Sequence, residues 1–121
     1  MSSRIHLEVW PRFLRFPVLA MVDTAAPWCI FDSGVGEVLR EHSEPVSGKL
    51  SLSTRLGLFI GNLYRVPLAF SSMVGGPFEV EATIFVSPDW PGGNFLGYEG
   101  LLQRIRFAVD PEANLFYFGQ I

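Results

Sequence analysis

Short runs rich in Val, Ile, Leu and Phe, broken every few residues by proline or glycine, run the length of the chain, and most have the period of a strand rather than a helix. Residues 5–10 alternate apolar and polar side chains before Pro11, residues 17–22 form a continuous apolar strand, and 28–31 form a short one after Pro27. Residues 34–42 break this rhythm. Val35, Val38 and Leu39 stand at helical spacing with Glu37, Arg40 and Glu41 between them, so a short amphipathic helix is expected, stopping before Pro45.

From 49 to 56 leucines alternate with Ser51, Ser53 and Thr54, and Gly57 and Gly61 interrupt a strand that continues to Phe70. Those glycines suggest bulges or a mobile hairpin. A turn cluster at 73–77 leads into the alternating strand 78–86, and a Pro/Gly loop over 87–94 precedes Phe95-Leu96-Gly97. A brief helix around 99–103 and a last hairpin turning at 110–114 complete the pattern. About eight strands punctuated by 9 prolines and 12 glycines predict an all-β domain built from hairpins.

Size and charge narrow the function. The chain has 121 residues, enough for one domain with a real core, here read as 1–121. It is 49% hydrophobic and 17% charged, a thin share of charge for solvation, which suggests apolar area hidden in a partner. A net charge of −3 offers no basic stripe for phosphates, so nucleic acid is set aside as a partner. The single cysteine, Cys29, lies in an apolar run and reads as a buried thiol. The N-terminus lacks a signal-like apolar core, and the longest uncharged stretch, 66–78, is broken by Pro67, Gly75, Gly76 and Pro77. A cytoplasmic setting without membrane contact is therefore expected.

One segment carries candidate chemistry. Pro17-Val18-Leu19-Ala20-Met21-Val22 runs straight into Asp23-Thr24-Ala25-Ala26. An ionised carboxylate at the end of a core strand needs hydrogen bonds, a shared proton or a catalytic task, because burying it alone costs several kcal/mol. Met21-Val22-Asp23-Thr24-Ala25-Ala26, with Ile30-Phe31 a few positions on, resembles the active-site loop of retropepsin-like aspartic proteases in every slot but one. Phe95-Leu96-Gly97-Tyr98-Glu99-Gly100-Leu101 is similar to that family's second landmark, an apolar pair and glycine opening a short helix near the C-terminus.

The resemblance implies a closed β-barrel of a single lobe with one short C-terminal helix. It also implies an aspartic endopeptidase that acts as a homodimer on a peptide or protein substrate, with no metal and no cofactor. Asp23 would be the catalytic acid, paired with its twin from a symmetry-related subunit around one water. Thr24 would hydrogen-bond across the dimer axis and hold the loops rigid, and Ala25 and Ala26 would lie next to substrate. The segment from Pro45 through Gly57 has the alternating polarity of the projecting flap that closes over a peptide.

Ala25 is the departure, since the family carries glycine there. If the backbone requires positive φ, alanine strains the loop by about 1 kcal/mol or more; if not, the methyl merely crowds the cleft. The alternative function is accordingly an attenuated or inactive dimer of the same fold, serving as a binding or assembly module. Asp32-Ser33-Gly34 is a rival acid loop that obeys the glycine rule, but it reads better as the N-cap of the helix beginning near Val35. Tyr98 and Glu99 stand where relatives carry residues tying the helix to the acid loop, so that tie must differ here. His6 and His42 read as surface histidines, and Trp10, Trp28 and Trp90 as core or interface anchors.

Overall fold

The computed structural model describes residues 5–70, 78–110 and 115–120, with side-chain surroundings over 5–70 and 79–103. The turn expected at 73–77, and residues 111–114 of the turn expected at 110–114, lie outside the described residues.

Six strands close on themselves. β1 (His6–Pro11) pairs with β2 (Val18–Val22), which runs beside β7 (Phe95–Leu96), then β3 (Cys29–Ile30), β6 (Phe78–Val86) and β5 (Gly57–Phe70). β5 returns to β1 through Val9↔Phe70, Trp10↔Ala69 and Pro11↔Leu68, so the ring has no open edge between them. The expected all-β closed barrel is the architecture observed. β4 (Leu50–Thr54) stands outside the ring on the first part of β5, and β8 (Ile105–Asp110) with β9 (Leu115–Gln120) forms a separate antiparallel hairpin.

The alternation visible in the sequence decides which side chains fill the barrel. On β5, Tyr64, Val66, Leu68 and Phe70 are buried while Arg65 points to solvent, and on β6 Ala82, Ile84 and Val86 join the same core. Each large apolar side chain removed from water contributes about 1.5–3 kcal/mol. Between β3 and β4, α1 (Ser33–His42) adds Val35 and Leu39 to this core. Its first turn is capped by Asp32, whose carboxylate accepts the Val35 N–H at 3.0 Å.

Neither β5 glycine forms a bulge. Pairing runs unbroken through both: residues 57–61 bond to β4 and 62–70 to β6. Gly57 has φ +121° and ends the two-residue turn Arg55-Leu56. Gly61 is buried where β5 changes partners, and a Cβ there would run into the carbonyl oxygen of Val86. The brief helix expected around 99–103 is one 3-10 turn at Leu102–Arg104, and the N–H groups of Leu102 and Gln103 reach back five residues to the carbonyls of Gly97 (3.1 Å) and Tyr98 (2.9 Å).

Candidate active site

The placement of β7 creates the site. It lies parallel to β2 (Met21↔Phe95, Val22↔Leu96) and antiparallel to β3 (Ile30↔Phe95), so the chain leaving β2 must cross the end of β7 before it can enter β3. The crossing segment is the loop that begins at Asp23. Its backbone is bonded to the β7 strand and the residues after it: Asp23 N–H to Leu96 O at 3.0 Å, Tyr98 N–H to Ala26 O at 2.8 Å, and Gly100 N–H to Pro27 O at 2.9 Å.

Two glycines allow that approach. A Cβ on Gly97 would strike the carbonyl of Trp28 and come within 2.9 Å of the Ala26 oxygen. A Cβ on Gly100 would meet the Thr83 carbonyl and lie 2.9 Å from the Cys29 nitrogen. Main-chain atoms cannot swing aside as a side chain does, so both positions demand glycine.

Asn94 secures the strands on either side of the loop. Its Oδ1 accepts the Asp32 N–H at 2.8 Å, its Nδ2 donates to Leu19 O at 3.1 Å, and its own carbonyl accepts the Met21 N–H at 2.9 Å. Nothing in the sequence pattern singles this residue out, because its side-chain partners lie 62 and 75 residues away along the chain.

Within the loop, the Asp23 carbonyl accepts the Ala26 N–H at 3.2 Å, and its carboxylate Oδ1 accepts the Ala25 N–H at 3.1 Å. One carboxylate oxygen is thereby oriented by the backbone. Asp23 is partly open to solvent in the single chain, Thr24 and Ala25 are exposed, and the Thr24 hydroxyl has no partner among the described residues. Phe13, at φ 81°, is the one non-glycine residue with positive φ among them. Ala25 therefore lies outside the positive-φ region, and its backbone carries no left-handed strain.

Asp23, Thr24, Ala25 and Ala26 all line one cleft of about 970 Å³, whose other boundary is the β4–β5 hairpin at residues 52–56. The expected flap segment thus borders the expected acid. Trp90 holds the hairpin to the barrel: it stacks edge-on against Phe59 of β5 (5.2 Å between ring centres) and Phe95 of β7 (6.3 Å), and its indole N–H donates to Gly93 O at 2.9 Å.

The remaining candidates fall elsewhere. Asp32 is absent from the cleft lining and serves as the α1 cap. The tie between the acid loop and the residues after β7 is made by the backbones of Tyr98 and Gly100, while the Tyr98 side chain is exposed and Glu99 borders a separate depression of about 600 Å³ with Arg65. His42 is exposed, stacked on Phe13 at 5.1 Å, and His6 is exposed on β1. Cys29 is a buried free thiol. Trp90 is a core anchor, Trp28 is half-buried at the cleft, and Trp10 is 45% exposed. Among the described residues no helix is long and apolar enough to cross a membrane.

No family model and no curated protein matches the chain. Among solved structures it is similar to a retropepsin-like aspartic protease from Rickettsia conorii, with 18% identity, 88% of this chain and 84% of that chain covered, and a TM-score of 0.49.

Proposed function

We propose that the chain is one subunit of a homodimeric aspartic endopeptidase in which two Asp23 carboxyls, one from each copy, activate a water against a peptide bond. The observation that carries this reading is the Asp23 carboxylate, oriented by the Ala25 N–H, on the wall of a cleft that the β4–β5 hairpin also borders.

The chemistry follows from the pair. Two carboxylates about 3 Å apart cannot both ionise, so they share one proton. The ionised partner removes a proton from the water as it attacks the scissile carbonyl, and the protonated partner donates to the carbonyl oxygen. The resulting diol collapses with cleavage of the C–N bond, and the amine leaves with a proton passed back through the dyad. The Ala25 N–H occupies lone-pair space on Oδ1 and leaves Oδ2 for the water and the twin acid. Thr24, exposed and without a partner for its hydroxyl among the described residues, is free to bond across the twofold axis and keep the two loops in register. Ala25 and Ala26 border the extended substrate.

Cleavage of a quenched fluorescent peptide library by the wild type, Asp23→Asn and Asp32→Asn proteins tests the proposal. Activity lost in Asp23→Asn and kept in Asp32→Asn is the expected result; cleavage unchanged in Asp23→Asn overturns it. Sedimentation measures the dimer, and a strictly monomeric active species would be equally damaging. Titration with a statine-type inhibitor separates a working dyad from a dimer that only binds peptides, because tight binding requires the shared proton.

A further inference from the structure

The cleft has two charged lining residues, Asp23 and Arg55. Arg55 forms the tip of the β4–β5 hairpin with Leu56, and the turn that holds them is tightly specified. The Thr54 hydroxyl accepts the Leu56 N–H at 3.1 Å and donates to Gly57 O at 2.8 Å, and Gly57 supplies the positive φ that closes the turn. Arg12, Arg40 and Arg65 each pair with a glutamate, Glu79, Glu37 and Glu81 respectively. Arg15 and Arg55 pair with no carboxylate among the described residues, and of the two Arg55 lines the cleft, which is otherwise mostly apolar, with Leu52, Leu56, Trp28 and Phe95 on its walls.

Arg55 is exposed at the edge of this cleft, on a turn whose backbone is fixed, and its guanidinium presents a planar fork of N–H donors that matches a carboxylate. We infer that Arg55 is a specificity-determining residue that selects peptides carrying a carboxylate beside an apolar segment, supplied either by an Asp or Glu side chain or by a free C-terminus. The inference rests on the peptidase reading for the identity of the ligand as a peptide. It adds that the preferred substrate is acidic at the position under the hairpin tip and apolar along the rest of the cleft.

The test uses the full chain carrying Asp23→Asn, so that binding is measured without cleavage. Labelled apolar peptides are compared by fluorescence anisotropy in two matched sets, an internal Glu against Gln and a C-terminal acid against its amide. The expected result is about tenfold tighter binding of the acid in one set, which also identifies the source of the carboxylate. Adding Arg55→Gln should abolish that difference, and Arg55→Glu should turn the preference toward a Lys peptide, with thermal melting unchanged because the tip is exposed. Equal affinity within both sets, discrimination that survives Arg55→Gln, or no binding of any peptide would overturn the inference. Wild-type cleavage of the same peptides separates the two ideas: cleavage indifferent to charge defeats the Arg55 role alone, whereas charge-selective binding without cleavage defeats the peptidase alone.

Discussion

The backbone N–H of Ala25 lies 3.1 Å from Oδ1 of Asp23, and Ala25 makes this contact without entering the positive-φ region. The residue that departs from the expected glycine thus contributes only its main chain to the acid. Replacing it with glycine keeps the N–H and adds freedom to the unfolded chain. Ala25→Gly should lower stability by about 0.4–1 kcal/mol in urea unfolding. A gain in stability instead would show that the methyl is strained after all.

Gly97 presents the opposite case. Any side chain there meets the Trp28 carbonyl and lies 2.9 Å from the Ala26 oxygen, both in the connection from Asp23 to β3. The loop would have to lift from β7, breaking the Tyr98 N–H bond to Ala26 and displacing Asp23. Gly97→Ala should therefore cost about 1–3 kcal/mol or more and abolish peptide cleavage together. Gly48→Ala is the control, since nothing lies within 4 Å of a Cβ at that position. A Gly97→Ala protein as stable and active as the control would refute the close approach.

The fold is legible in the amino-acid sequence wherever the signal is local. The apolar run ending at Val22, the helical spacing of Val35, Val38 and Leu39, and Asp32 as their cap all depend on neighbours within one or two turns. The relationships that build the site are long-range and belong to the backbone. A two-residue strand such as Phe95–Leu96 has no period of its own, so the sequence marks the segment but not its insertion between β2 and β3. The tie from the Tyr98 and Gly100 N–H groups to the acid loop uses groups that every residue but proline carries, so the side chains of Tyr98 and Glu99 give no sign of it. Gly61 has the appearance of a bulge because a glycine inside a strand pattern does not say whether it relieves a kink or a collision; here it avoids the Val86 carbonyl.

Asp32 separates structural from chemical acids. Its carboxylate accepts the Val35 N–H at 3.0 Å, one of the N–H groups that the first helical turn leaves without an internal partner. Asp32→Ala should cost about 1 kcal/mol, read as a lowered urea midpoint at unchanged slope. Asp32→Asn retains an acceptor oxygen and should lose only a few tenths of that. Cleavage per folded molecule should be the same in both variants, in contrast to Asp23→Asn.

Asn94 is the residue whose removal best tests how the loop is held. Its side chain accepts from Asp32 N–H and donates to Leu19 O, joining the chain just after β3 to the strand that leads into Asp23. Truncation to alanine leaves the part-buried Asp32 N–H without that acceptor and the Leu19 carbonyl without that donor, each worth about 1 kcal/mol net and more where water cannot enter. Asn94→Ala should thus lower stability by about 2 kcal/mol. If the amide also fixes the approach of β2 to the acid, the variant should lose kcat at saturating peptide while KM changes little, because the cleft walls at residues 52–56 are untouched. Measuring both constants well below the melting temperature separates the two effects: a variant that melts earlier but turns over normally would make Asn94 a structural clamp with no part in positioning Asp23.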